Sequence, residues 1–344
     1  MTKQGRRPTR DDVAKKAGTS TAVVSYVINN GPRPVSKATR EKVLRAIRET
    51  GYRPNTVAQS LASGNSETFA LLVPDMTNPF LAQLARALGH ECLLNNKTLL
   101  LGDAEDNAQH EVELLEAFQR QQVAGLVWYG VDQPLPLEVI RHFPRTAVLL
   151  NQPEAAEPTA QQDGRRIRVT IDEYQQAYMA TEHLASHHRR HIAIVMGPTT
   201  RLNSRERLRG WKDALHKAGL EPGQEIVTPY SREGGFEATS ALHDDVDAVF
   251  TANTLQAIGL LAGLAEQGRT VPDDIAVATM NATDAARYLV PSLTSVQLPS
   301  SSLAVSIIHE LLGEEHSADD TISAAPLLIR RHSCGCEQPS ANNH

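Results

Sequence analysis

The residues that most often carry chemistry do not form a catalytic pattern in this sequence. It contains no nucleophile with a neighbouring base, no phosphate-binding loop and no motif of paired carboxylates. Those arrangements identify most hydrolytic, phosphoryl-transfer and acid–base enzymes. We therefore do not expect an enzyme, and the sequence predicts no cofactor.

Candidate metal ligands occur in two places. Residues 187–191 read His-His-Arg-Arg-His, and Cys334 and Cys336 lie near the C-terminus, with Cys92 far upstream. Three cysteines are too few for a disulfide framework, a lone C-x-C pair is a weak zinc motif, and no acid or cysteine completes a ligand set with the histidines. We interpret residues 187–191 as a solvated basic turn and residues 334–344 as a flexible tail, and we predict no metal site.

Positive charge is concentrated at the N-terminal end of the chain. Residues 1–66 contain 13 lysines and arginines against 4 acidic residues, a net charge of +9, whereas the remaining residues carry −15. The overall charge of −6 conceals this division. A small basic module on an acidic body is typical of a protein that binds nucleic-acid phosphates.

The sequence also indicates where in the cell the protein is expected. No apolar run approaches the roughly 20 residues that a membrane span needs, and residues 1–12 lack the apolar core of a signal peptide. We therefore expect a cytoplasmic protein.

Three short helices are predicted in the basic segment. Their boundaries are marked by capping residues: Thr9 and Gly18 for the first, Thr19 or Ser20 before residues 21–28 for the second, and Ser36 and Gly51 for the third. The first two, joined by a glycine-containing turn, form a helix-turn-helix. Residues 56–63 predict a further helix of about two turns, too short to be stable without a partner.

Beyond Gly64, short apolar runs alternate with amphipathic helices in two series. The predicted strands are residues 69–74, 98–103, 125–130 and 147–151 in the first series, and 191–197, 248–253 and 275–281 in the second. Such alternation predicts parallel sheets flanked by helices, and two series indicate two α/β lobes. Ligands of such folds bind in the crevice at the carboxyl ends of the strands.

Several segments carry a family resemblance. The stretch TRDDVAKKAGTSTAVVSYVINNGPRPVSKATREKVLRAIRETGYRPNTVAQSLASG resembles the DNA-binding head and hinge of the lactose-repressor (LacI/GalR) family. LLVPDMTNPFLAQLARAL, RERLRGW, FTANTLQAIG and SLTSVQ resemble segments of that family's regulatory core. The resemblance extends to about Arg331. It implies a helix-turn-helix head followed by a two-lobed, type I periplasmic-binding-protein-like core with three crossovers, which dimerises side to side.

The resemblance also implies domain boundaries. The head comprises residues 1–54, the hinge helix and linker 55–66, the N-terminal lobe 67–169 and 296–324, and the C-terminal lobe 170–295 and 325–333.

Positions carried over from the family predict the DNA contacts. Thr21, Ala22 and Tyr26 are the expected base readers, while Ser20, Ser25, Asn30 and Thr39 are suited to phosphate contacts. In the hinge, Leu61 is expected to wedge between base steps in the minor groove, with Asn55, Ala58 and Ala62 nearby. The alternatives are a three-helix bundle without a DNA role and, for Leu61, a packing residue in a linker.

Six of the expected effector-binding residues are likewise carried over: Asn78, Phe80, Arg207, Trp211, Asn253 and Asn281. Asp103 and Tyr129 are added because they fall at strand ends that face the crevice. Arg207 is the foremost candidate because a guanidinium can hold a carboxylate, phosphate or hydroxyl in a fixed fork. Any of the others is alternatively an ordinary cap or surface residue. The chain has Asn151, Thr254 and Asn281 where many family members have acids that hold sugar hydroxyls. This departure makes a simple hexose a less expected effector and favours a less polar or anionic ligand, or none.

Three classes of protein compete for the whole sequence. A homodimeric transcription repressor, reading a pseudo-palindromic double-stranded DNA operator and responding to a small-molecule effector, accounts for head, hinge and core. A solute-binding protein accounts for the core alone, and a sugar-modifying enzyme accounts only for the strand–helix alternation.

Overall fold

The computed structural model describes residues 8–29, 33–53, 66–130, 140, 143–150, 165–313 and 321–336. They belong to two compact units, Met1–Ser66 and Glu67–His344. We refer to these as the head and the core.

The head contains the three predicted helices: α1 (Arg10–Ala17), α2 (Thr21–Asn29) and α3 (Lys37–Thr50). Thr9 and Asp12 form a reciprocal capping box at the start of α1, which satisfies two backbone N–H groups that the helix leaves unpaired. Gly18 and Gly51 end α1 and α3 with φ of 64° and 66°, a conformation that favours glycine. The helices pack on an apolar core formed by Val13, Ala14, Val24, Val27, Val43 and Ala46.

The N-terminal lobe of the core is built on a parallel sheet of six strands. Its strands are β1 (Thr68–Val73), β2 (Thr98–Asp103), β3 (Gly125–Tyr129), β4 (Thr146–Leu150), β5 (Arg166–Thr170) and β11 (Thr321–Ser323), in the order β11-β5-β4-β3-β1-β2. Its described helices are α4 (Pro79–Leu94), α5 (Ala108–Arg120) and α10 (Ser300–Leu312). Apolar clusters lie on both faces of the sheet, which explains the continuous apolar runs of its central strands.

The C-terminal lobe repeats this plan. Its strands are β6 (Ile192–Met196), β7 (Glu225–Val227), β8 (Ala248–Thr251), β9 (Ala276–Met280), β10 (Thr294–Gln297) and β12 (Leu327–Ile329), in the order β12-β10-β9-β8-β6-β7. Its helices are α6 (Glu173–Ser186), α7 (Leu202–Lys217), α8 (Arg232–Ala241) and α9 (Thr254–Glu266), with 3-10 turns at Asp284–Tyr288 and His332–Cys334. The edge strand β12 runs antiparallel to β10.

Three crossovers connect the lobes, as expected. They follow β5, β10 and β11, since each of these strands is succeeded by an element of the other lobe. The second begins two residues later than expected, because β10 continues to Gln297 within the C-terminal sheet. Among the described residues, none of the helices combines the length and apolarity that a bilayer crossing requires.

The prediction of a flexible tail from residue 334 is wrong at its start. Ser333 and Cys334 are buried. The Ser333 hydroxyl accepts a hydrogen bond from the Thr294 backbone N–H at 2.8 Å and donates one to the Val277 carbonyl at 2.7 Å. The segment therefore belongs to the C-terminal lobe through Cys334, and residues 337–344 lie outside the described residues.

Candidate functional site

The predicted base readers lie at the N-terminal end of α2. Thr21 and Ala22 are exposed on its first turn, whereas Ser25 and Tyr26 are half-buried one turn later. An N-terminal turn with short exposed side chains is the part of a recognition helix that reaches base edges in the major groove.

Two of the expected phosphate contacts, Ser20 and Thr39, lie at helix starts. Ser20 Oγ accepts a hydrogen bond from the Val23 N–H at 3.3 Å, and Ser36 Oγ accepts one from the Thr39 N–H at the same distance. Helix N-termini present N–H groups and a positive dipole end to an anion. The remaining predicted DNA contacts, Asn30, Asn55, Ala58, Leu61 and Ala62, lie outside the described residues.

The core contains a cleft lined by residues of both lobes. Its lining comprises Pro74, Asp75, Asn78, Phe80, Leu81, Asp106, Tyr129 and Gly130 from the N-terminal lobe, and Arg201, Asn203, Arg207, Tyr230, Asn253 and Asn281 from the C-terminal lobe. Asn78, Phe80, Tyr129, Arg207, Asn253 and Asn281 were expected, and the structure brings these six together. They lie near the carboxyl ends of strands in the two sheets, where parallel α/β folds bind ligands.

Arg207 connects the cleft to a buried charge. Its side chain is 4% exposed; Nε donates to Glu173 Oε2 at 2.9 Å and Nη1 donates to the Tyr230 hydroxyl at 3.1 Å. Tyr230 in turn shares a hydrogen bond of 2.7 Å with the Ser204 hydroxyl. Burial lowers the pKa of Arg207, but the adjacent Glu173 carboxylate outweighs it and holds the pKa above its ordinary value. The guanidinium is thus a fixed, permanently charged donor at the cleft wall.

Tyrosine side chains supply much of the rest of the wall. Burial, followed by the negative charge of Glu173, raises the pKa of Tyr129 above its usual range, so its hydroxyl remains protonated at neutral pH. The Tyr230 ring lies directly against Gly197, where any side chain would collide with it. Both rings offer an apolar face and a hydroxyl, a combination suited to a polar ligand with a ring.

Three asparagines serve local structure as well as the cleft. The side-chain carbonyls of Asn78 and Asn253 accept from the backbone N–H groups of Phe80 at 3.0 Å and Gln256 at 2.8 Å, and so cap α4 and α9. Asn281 has φ of 54°, and its buried Oδ1 has no hydrogen-bond partner among the described residues. A buried oxygen without a donor is costly unless a ligand or water supplies one.

Two expected effector-binding residues do not line the cleft. The Asp103 carboxylate instead accepts hydrogen bonds from the backbone N–H groups of Met76 at 3.2 Å and Glu105 at 3.0 Å. It thereby fixes two loops at the rim of the cleft. Trp211 is fully buried in the apolar core of the C-terminal lobe. Trp211 lies one helical turn after Arg207, and its side chain packs in the lobe interior instead of at the cleft.

Several lining residues were missed from the sequence. The missed residues lie in or beside loops at the ends of strands, where their position depends on how the two lobes meet; they are Asp75, Asp106, Arg201, Asn203 and Tyr230. Arg201 Nη2 and Asp106 Oδ1 lie 3.2 Å apart and form an ion pair between the lobes. The available signal was their placement close after strands, since such loops meet at the crevice.

The prediction for residues 187–191 holds only in part. His188, Arg190 and His191 are exposed. His187, however, is half-buried, with Nε2 3.3 Å from Cys336 Sγ. Contrary to the prediction, a cysteine does adjoin one of these histidines, because chain segments distant in sequence meet here.

Comparison with known families and curated proteins agrees with this architecture. Residues 9–55 match the profile described as bacterial regulatory proteins, lacI family, and residues 181–334 match the periplasmic binding protein-like domain. The ribose operon repressor of Escherichia coli (strain K12) is 30% identical over 94% of this chain and 99% of its own length. Catabolite control protein A of Priestia megaterium is 30% identical over 92% of this chain and 96% of its own length.

Solved structures give the same result. The lac repressor dimer bound to operator and the anti-inducer ONPF has a TM-score of 0.80 at 24% identity, covering 96% of this chain and 99% of its own. A complex of the transcriptional regulator CelR with cellobiose has a TM-score of 0.67 at 29% identity, covering 95% and 100%. With a helix-turn-helix head, a two-lobed core and relatives matched over nearly their full length, the chain belongs to the lacI family of bacterial regulatory proteins.

Proposed function

We propose that this protein is a homodimeric, cytoplasmic transcription repressor whose affinity for operator DNA is controlled by a small molecule bound in the cleft. The observation that carries the proposal is the presence, in one chain, of a basic helix-turn-helix head and a cleft lined by polar residues from two lobes. The chain acts by binding DNA and ligand rather than by catalysis.

The charge of the head supports DNA binding. In α3 the basic residues Lys37, Arg40, Lys42, Arg45 and Arg48 are all exposed, and the described acids Asp11 and Glu49 pair with Lys15 and Lys16. Phosphate contacts of this kind supply most of the non-specific affinity and position the base readers. Thr21, Ala22 and Tyr26 then distinguish one DNA sequence from another.

Exposed apolar residues support a dimer. Leu93 and Leu94 at the end of α4 are 74% and 63% exposed, and Leu100 and Leu101 of the neighbouring strand β2 are exposed as well. Exposed apolar side chains on two neighbouring elements are suited to a protein–protein interface. A two-fold pair of cores brings two heads to a DNA site with two related halves.

Contrary to the expectation from the sequence, the cleft favours a neutral, hydroxyl-rich effector over an anionic one. Arg201 and Arg207 are paired with Asp106 and Glu173, so little net positive charge remains for an anion. The cleft offers hydrogen-bond donors and acceptors beside apolar ring faces. They are Nη2 of Arg207, the side-chain oxygen Oδ1 of Asn281 and the hydroxyls of Tyr129 and Tyr230. This chemistry fits a sugar, and relatives named for ribose and cellobiose are consistent with that class.

A solute-binding protein is the rival class, since the core alone has that fold. The two are distinguished by incubating the full-length protein with sheared genomic DNA and sequencing the retained fragments. We expect a small set of fragments that share a pseudo-palindromic sequence. Retention without sequence preference, or none, would contradict the proposal.

A further inference from the structure

Four side chains with metal-binding atoms meet on the C-terminal lobe, away from the cleft. His183 lies on the last turn of α6, and His187, four residues later, caps the end of that helix. Residues four apart lie on one face of a helix. Cys334 ends the 3-10 turn at His332–Cys334, and Cys336 follows Gly335, whose φ of 88° turns the chain back towards the helix.

The four ligand atoms form a compact cluster. His183 Nε2 lies 3.2 Å from Cys334 Sγ and 3.5 Å from Cys336 Sγ, and His187 Nε2 lies 3.3 Å from Cys336 Sγ. The two sulfurs are 3.1 Å apart, and all four atoms lie within 4.8 Å of one another. Around a tetrahedral Zn²⁺ with ordinary bond lengths, ligand atoms lie about 3.3–3.8 Å apart, so the four measured separations are close to those of a zinc site.

The donor set selects the class of metal. Two thiolates and two imidazoles are soft and intermediate ligands that favour zinc over the hard cations magnesium and calcium. Four protein ligands leave no open position for water or substrate, which is the pattern of structural rather than catalytic zinc.

The surroundings suit a bound ion. Cys334 is buried, and His183, His187 and Cys336 are half-buried, so the ligands are shielded but reachable from solvent.

We propose that His183, His187, Cys334 and Cys336 form a structural Zn²⁺ site that fastens the C-terminal segment to the end of α6. The segment leads out of β12 and is anchored to β9 and β10 through Ser333. Zinc completes the closure of the C-terminal lobe by tying two parts of the chain about 150 residues apart in sequence. The site thereby stabilises the lobe that carries Arg207.

The test uses the untagged full-length protein, purified under reducing conditions, with zinc content measured by elemental analysis. We expect about one zinc per chain. After chelation, thermal unfolding moves to lower temperature and added zinc chloride restores it, because an ion that binds only the folded state stabilises that state. Cobalt added to the chelated protein should produce the visible absorption of a tetrahedral thiolate site.

Variants assign the ligands. Cys336→Ser and His187→Asn change half-buried positions, and we expect each to keep the wild-type circular dichroism spectrum, to lose bound zinc and to unfold at the temperature of the chelated wild type with no response to zinc. His188→Asn is the matched control, since this neighbouring histidine is exposed, and it should retain the metal.

Three outcomes would overturn the proposal. The first is an untagged protein that neither contains zinc nor responds to it. The second is zinc retained by both ligand variants, which would place the metal elsewhere. The third is a Cys334–Cys336 disulfide in protein isolated without reductant, seen as a mass loss of about two hydrogens, which would identify a redox pair instead.

Discussion

Arg207 forms a buried ion pair with Glu173 and also lines the cleft. We therefore expect effector recognition to depend on Arg207. Arg207→Lys keeps a positive charge near Glu173 but loses the planar fork that also reaches Tyr230. Because a hydrogen bond to a charged group contributes about 1.5–3 kcal/mol, effector affinity should fall roughly ten- to a hundred-fold, as measured by calorimetry.

The matched control for Arg207 lies on the same helix. Arg209 is exposed and pairs with Glu206, so Arg209→Lys should leave effector affinity unchanged. Operator affinity without effector should be close to wild type in both variants. An Arg207→Lys protein with unaltered effector affinity would remove Arg207 from the binding site.

Thr21 allows a second prediction at this scale, because its side chain is exposed at the start of α2. Thr21→Val keeps the shape and removes the hydroxyl, so a lost base contact should weaken operator binding by about 1–3 kcal/mol. Affinity for non-operator DNA, measured in parallel by fluorescence anisotropy, should not change. Equal losses on both DNAs would show that Thr21 contacts phosphate rather than a base.

At the scale of elements, the head depends on its helix caps. Thr9→Ala removes the hydroxyl that accepts from the Asp12 N–H, and loss of such a cap typically costs about 1 kcal/mol. The head should open more readily, which hydrogen exchange of α1 amides would report. Thr21→Ala, which removes an exposed threonine from the start of α2, is the control, and comparable exchange in the two variants would contradict the role of the cap.

The same caps explain why the elements of the head could be predicted. Thr9, Ser36, Gly18 and Gly51 are local signals, so the predicted helix ends agree with the structure within one residue. In the core, apolar runs predicted the central strands for a similar reason. Five strands were not predicted: β5, β7, β10, β11 and β12. β7, β11 and β12 are edge strands of three residues, and β5 and β10 interrupt their apolar residues with polar ones, so none of them carries a long apolar run.

At the scale of the whole molecule, a cleft residue could be predicted only where the local sequence fixes the position of that residue. Asn78 and Asn253 cap helices that follow strands, so their place at the crevice is set within one lobe and does not depend on how the lobes meet. Arg201 and Asp106 meet because the two lobes close on each other, and Cys336 meets His187 across 149 residues. Contacts of that kind arise from tertiary packing and leave no periodic signal in the chain.

The Arg201–Asp106 ion pair bears directly on lobe closure. Asp106→Asn removes a partly exposed pair, a change usually worth up to about 1 kcal/mol. Effector affinity should fall by roughly two- to fivefold, because a smaller closed population lowers apparent affinity. Glu105→Gln, at the exposed neighbouring acid, is the control, and equal behaviour of the two variants in calorimetry would show that the pair does not favour closure.

Occupancy of the cleft is expected to change the affinity of the head for its operator. A ligand can do this only by binding two arrangements of the protein unequally, and such coupling is typically worth about 1–3 kcal/mol. The most direct measurement is the operator Kd of the full-length protein, by fluorescence anisotropy, with and without a saturating ligand whose binding calorimetry has established. We expect the two values to differ by roughly five- to a hundred-fold, with affinity for non-operator DNA unchanged. Identical operator Kd values with the cleft empty and occupied would contradict the account.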